Sequence, residues 1–275
     1  MATEVIAGAV GEIRAASAAN GTALTTTATF IQLPLNTKHI TVTPRNFATA
    51  VVVRWNRNPW LVVLKTTDNM LGLPTDYSKV AQDADAATDV VVSSLGALAD
   101  GDFLLIGSHQ RFRGVYIDVD GTNGAGTATL AVAYWNGSAW VDVSTLSDGT
   151  NGGNRVFEQD GIVTWDVPTP WAKASLPSIY PAFVNKQPEA YYADVPLYWV
   201  RLSVSAALTD TAVTFNSLVA ANRSTAYAEL VSGQTWEEQV KHGEIGGIGC
   251  IEALTDAGTA NLLVNVATRQ GGEFA

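Results

Sequence analysis

The chain has 275 residues, only 15% of them charged, with a formal net charge of −10 and a pI near 4.7. Ordinary soluble domains carry about 25% charged residues, yet no apolar run here approaches the roughly 18 residues of a membrane span. The sixteen Lys and Arg residues are scattered, so no basic track exists for a phosphate backbone, and neither nucleic acid nor membrane is expected as a partner.

Residues 1–29 are rich in Ala, Thr and Gly. Ile6, Val10 and Ile13 fall at helical spacing, but Gly8 and Gly11 weaken an isolated helix. The segment reads as an extended N-terminal arm that orders by packing on something else, such as a neighbouring subunit. Strand chemistry then starts at Thr29 and continues through His39–Thr43, Ala48–Trp55 and Trp60–Thr66, where Thr, Val, Ile and aromatics dominate. Residues 68–89 lose the alternation and read as a long connection, followed by a short strand at Val90–Val92.

A second block opens near Leu98, with strands expected at Phe103–Ile106 and Arg113–Asp120. The hairpin Thr127–Val143 contains Tyr134-Trp-Asn-Gly-Ser-Ala-Trp140. A two-residue Asn136-Gly137 loop with a type I′ turn would place Trp135 opposite Ser138 and Ala133 opposite Trp140. One face then carries Leu130, Val132, Tyr134, Val141 and Val143 as a core face. The other carries Ala131, Ala133, Trp135, Trp140 and Asp142, with the two indoles diagonal to each other. Gly161–Val167, Leu197–Val204 and Ala212–Val219 continue the strand series, and residues 174–195, including Tyr180, Tyr191 and Tyr192, read as an irregular insertion.

Four strands in the tail, from Thr225 to Thr268, have too little partner surface alone. Pairing them with residues 30–95 gives an all-β fold of three parts: the arm at 1–29, a discontinuous β domain at 30–98 plus 222–275, and a jelly-roll-like β-sandwich at 99–221.

Catalytic patterns are missing. The chain has no GxSxG, HExxH, Walker loop or GxGxxG opening a helix. His39, His109 and His242 are dispersed, so the expectation is a protein without enzymatic activity, cofactor or assigned metal. The weak metal candidates are Asp118, Asp120 and Asn123, spaced nearly as in a calcium loop, but the third ligand is displaced and no bidentate Glu follows. A structural turn is the reading adopted, and Asp148–Asn154 is read the same way. Cys250, the single cysteine, rules out an intramolecular disulfide and sits in a strand as a small hydrophobe. Trp135 and Trp140 are candidates for packing on the other block, on the 174–195 insertion or across a subunit contact, since large aromatics anchor protein contacts, or for stacking on sugar rings. The N-terminus lacks the basic and apolar stretches of a secretory signal, which points to a cytoplasm or a particle assembled there.

The block of Gly114–Val119, Tyr134–Val141, Gln159–Trp165, Pro170–Lys173 and Leu197–Ala206 resembles modules of tailed-bacteriophage structural proteins. The resemblance covers a little under half of the chain and carries no active site. It implies a virion component that binds copies of itself and other virion proteins, such as the major capsid protein. A capsid decoration or cement protein is the leading expectation. A tail-fibre or baseplate subunit binding a host surface glycan is the alternative, and a glycan-active enzyme comes third.

Overall fold

The computed structural model describes residues 12–15, 20–34, 37–50, 52–66, 70–83, 85–93, 95–97, 99, 101–124, 126–181, 195–208, 212–222, 227–239 and 247–268. Among the described residues it is all-β apart from a helix of a single turn and a short 3₁₀ turn at Val80–Gln82. Two compact units divide the chain. Unit 1 joins residues 1–60 to 224–275, and unit 2 is the continuous stretch 61–223.

Unit 1 takes β1 (Glu12–Ala15), β2 (Thr22–Leu24), β3 (Thr29–Gln32), β4 (Thr37–Ala48) and β5 (Val53–Pro59) from the first part of the chain. Unit 2 then supplies β6 (Val62–Thr66), β7 (Thr75–Asp76), β8 (Val90–Val91), β9 (Phe103–Ser108), β10 (Gly114–Gly121), β11 (Leu130–Trp135) and β12 (Trp140–Asp142). It continues with β13 (Ser147–Asp148), β14 (Gly161–Thr164), β15 (Lys173–Ala174), the helix α1 (Leu176–Ile179), β16 (Leu197–Val204) and β17 (Thr214–Ala221). The chain returns to unit 1 with β18 (Ala228–Leu230), β19 (Trp236–Gln239), β20 (Ile248–Thr255) and β21 (Thr259–Thr268).

In unit 1 one sheet runs β1-β21-β4-β19, with β2 also on β21, and the other runs β18-β5-β20-β3. A shared core joins them. Ile40, Val42, Leu262 and Val264 come from the first sheet, and Val53, Trp55, Ile251 and Ala253 from the second. Alternation along each strand sends these residues inward, as expected for a sheet packed on one side.

The tail strands therefore do pair with the early strands, as their chemistry suggested. Two boundaries differ from the sequence reading. The described part of the arm is built into a sheet: Glu12–Ala15 and Thr22–Leu24 pair antiparallel with β21 of the same chain. Leu24, fully buried in the core, fixes β2 there. Residues 1–11 lie outside the described residues. The division between units falls after Trp60 rather than at residues 98 and 99. β6 pairs with β9, its partner about forty residues later, and belongs to unit 2.

Unit 2 has sheets of order β13-β14-β10-β17-β8 and β12-β11-β16-β9-β6-β7, with β15 added on β16. One core takes Val115, Ile117, Val163 and Phe215 from the first and Val63, Leu104, Ile106, Val132, Val200 and Leu202 from the second. Phe157 and Phe215 pack edge to face within it at 4.9 Å.

The second sheet is also covered on its other face. Trp199 is fully buried there and donates its Nε1–H to the Ala174 carbonyl at 2.8 Å. Gly107, its cross-strand neighbour, leaves room for the indole, because a Cβ there would stand 2.4 Å from Trp199 Cζ3. Leu176 and Ile179 of α1 are buried as well. The described start of the 174–195 stretch thus forms a short cover with a helical turn, while Tyr191 and Tyr192 lie outside the described residues.

Candidate functional site

The hairpin positions the aromatic face. Its register differs by two residues from the type I′ expectation: Trp135 faces Trp140, Tyr134 faces Val141 and Ala133 faces Asp142. Asn136 is the cause. Its Oδ1 accepts hydrogen bonds from the Ser138 amide at 2.9 Å, the Ser138 hydroxyl at 3.0 Å and the Ala139 amide at 2.9 Å. The Asn136 amide then donates to the Ala139 carbonyl, and Gly137 supplies the single positive φ of +104°. The loop is four residues long, closed by an Asx-type turn. A shift of two keeps every side chain on its face. Leu130, Val132 and Tyr134 are buried as expected, but Val141 is 38% exposed because β12 is the sheet's edge.

On the opposite face Trp135 and Trp140 meet edge to face, with ring centroids 5.6 Å apart and planes at 66°. Both are half-buried. Arg201 lies on the same face, because it pairs with Ala133 across β11 and β16. Its Cζ stands 4.9 Å from the Trp140 ring centroid and 5.3 Å from that of Phe103. Tyr180 closes the group, 6.3 Å from Trp140 and stacked on Phe103 at 6.1 Å. Burial pushes the Tyr180 hydroxyl up to about 12, with Arg201 opposing the shift. The indole of Trp140 is thus engaged by a guanidinium, a phenol and a second indole. This is the geometry of aromatic and cation–π packing, not of a flat open platform.

The three weak metal candidates have different surroundings. Asn123 is fully buried, and its amide group donates to the Val156 carbonyl at 3.0 Å, tying it to the 156–157 loop. Asp120 is exposed and accepts from the Thr214 hydroxyl at 3.4 Å. Asp118 is half-buried beside Asp160, and burial together with that carboxylate holds it above the usual carboxylate range. The same two causes push Tyr116 up to about 12. Among the described residues no group of three or more His, Cys, Asp or Glu is placed to hold a metal ion. In the Asp148 loop, Asp148 Oδ1 accepts from the Thr150 amide and hydroxyl, a turn-forming role.

His39 belongs to unit 1 and His109 to unit 2, while His242 lies outside the described residues. Cys250 is fully buried, and burial pushes its thiol well up, opposed by a contact from the Asn58 amide at 3.6 Å. Glu252, two residues on, is also fully buried, accepting from Tyr227 Oη at 2.7 Å and Asn58 Nδ2 at 3.2 Å.

Arg201 and Asp160 were not singled out from sequence, and Tyr180 was named only as part of the 174–195 insertion. Arg201 alternates with the core residues Val200 and Leu202, which places it opposite the core face of β16. Its approach to Trp140 follows only from the β11–β16 pairing, which joins residues about seventy apart. No helix among the described residues is long and apolar enough to cross a membrane. No family model, curated protein or solved structure matches the chain.

Proposed function

We infer that the chain is a structural, non-catalytic subunit of a tailed-bacteriophage virion, coating or cementing the capsid shell as a homo-oligomer. The observation that carries this reading is the placement of exposed apolar side chains at sheet edges and turns. Trp236 is 46% exposed on β19, an edge strand of unit 1, and Val231, in the turn that precedes it, is 41% exposed. Exposed Trp on a sheet edge is the residue type that anchors subunit contacts. Glu237 and Glu238 on the same strand are the kind of charges that deter uncontrolled edge-to-edge pairing.

The order of motifs in unit 2 supports the same reading, as does the low charge content. The enclosure of Trp140 favours it over a glycan-binding tail module. In this account neighbouring virion subunits cover the apolar edge residues, and the sandwich cores supply rigidity.

The test is reassembly. Purified protein is added to particles lacking it, and occupancy is compared for wild type, Trp236→Ser and Val231→Lys, each checked for an unchanged circular dichroism spectrum. Loss of occupancy in folded variants is expected. Full occupancy in both overturns the edge-anchoring role.

A further inference from the structure

Two cations converge on one ring in unit 2. Arg111 Cζ and Lys173 Nζ each stand 5.2 Å from the Tyr198 ring centroid. They can be no further apart than twice that distance, which is about one Debye length, roughly 10 Å, at 0.1 M salt. Both are held by backbone. Lys173 is the cross-strand partner of Tyr198 through β15 and β16, and Arg111 donates to the Trp171 carbonyl at 2.9 Å. The indole of Trp171 in turn packs edge to face on Tyr198 at 5.6 Å.

Among the described residues four arginines face a carboxylate and this pair does not. Arg54, Arg57, Arg113 and Arg155 each face a carboxylate, at 2.9, 3.0, 3.8 and 3.4 Å. Among the described residues no carboxylate pairs with Arg111 or Lys173, although the chain carries a net charge of −10. A ring quadrupole attracts both cations but carries no net charge, so it does not neutralise them. Both residues are exposed, and Tyr198 is half-buried. A guanidinium fixed by its own carbonyl contact costs little further ordering when a ligand arrives.

We propose that Arg111, Lys173 and the Tyr198 ring they share form a binding site for an oxyanion, a carboxylate or phosphate group of a small ligand. Arg111 supplies a forked donor and Lys173 a point charge. The site does not involve the Trp135–Trp140 face and does not depend on the assembly reading.

The experiment is a two-dimensional ¹H–¹⁵N NMR titration of the full chain at low ionic strength, with sodium phosphate in one arm and sodium acetate in another. Sodium chloride at matched ionic strength is the control. Saturable shifts are expected at the amides of Gln110–Phe112, Ala172–Ala174 and Tyr198. Arg111→Gln and Lys173→Gln should each weaken binding about tenfold, the loss of one charge-assisted hydrogen bond, and Lys173→Arg should retain it. Saturation by phosphate, acetate or both supports the site and names its preferred group. Shifts that merely follow ionic strength, or binding unchanged in the Arg111→Gln/Lys173→Gln double variant, overturn it.

Discussion

Trp135 and Trp140 stand directly opposite each other across β11 and β12, edge to face at 5.6 Å, with Arg201 over Trp140 at 4.9 Å. The contact joins a hairpin, a neighbouring strand and the cover formed by α1 and Tyr180. It makes the aromatic face a packing unit, and its energetics can be measured.

Trp140→Ala should destabilise the protein by about 2–3 kcal/mol, below the value for a fully buried Trp because the indole is half-exposed. A double-mutant cycle with Trp135→Ala, read by urea unfolding, should give a coupling of about 0.5–1.5 kcal/mol. Zero coupling would mean that the two rings contribute independently.

The Asx turn predicts a chemical preference at residue 136. Asn136→Ala removes an acceptor of three hydrogen bonds and should cost about 1–2 kcal/mol. Asn136→Asp keeps the acceptor and should stay close to wild type. Equal losses in the two variants would contradict the assigned role of Oδ1.

The legibility of the fold follows the same logic. The two faces of the hairpin could be read from alternation alone, and they survived a register error because the error was two residues. The loop length could not, since Asn136-Gly137 suits a two-residue turn and only the acceptor role of Oδ1 extends it. Pairing of the tail with the early strands was legible from the tail's lack of partners. The unit boundary was not, because β5 and β6 are nearly contiguous in sequence while β6 finds its partner in β9. The Asp118–Asp160 pair, like Arg201 over Trp140, depends on long-range pairing that no local pattern records.

Asp118 makes a prediction about pH. Burial and Asp160 raise its folded-state value above the ordinary 3.8, so the native chain holds this proton more tightly than the unfolded one. The group's contribution is therefore most favourable below 3.8 and is lost as pH rises through the folded value. Asp118→Asn should raise the melting temperature at pH 7, and the gain should vanish near pH 3. A gain of equal size at both values would sink this account of the pair.

Cys250 should be silent toward thiol reagents. It is fully buried and its thiol is pushed up by that burial, so little thiolate exists for attack. Maleimide labelling at pH 8 should be slow in native buffer and rise with the unfolded fraction in urea. Rapid native labelling would show that β20 opens locally.

The central claim is that this protein works as a building part of a particle. Quantitative mass spectrometry of gradient-purified virions tests it most directly. The account predicts the chain in the particle fraction, at a fixed copy number relative to the major capsid protein. Its absence from washed particles, with recovery only in the soluble lysate, would contradict that claim.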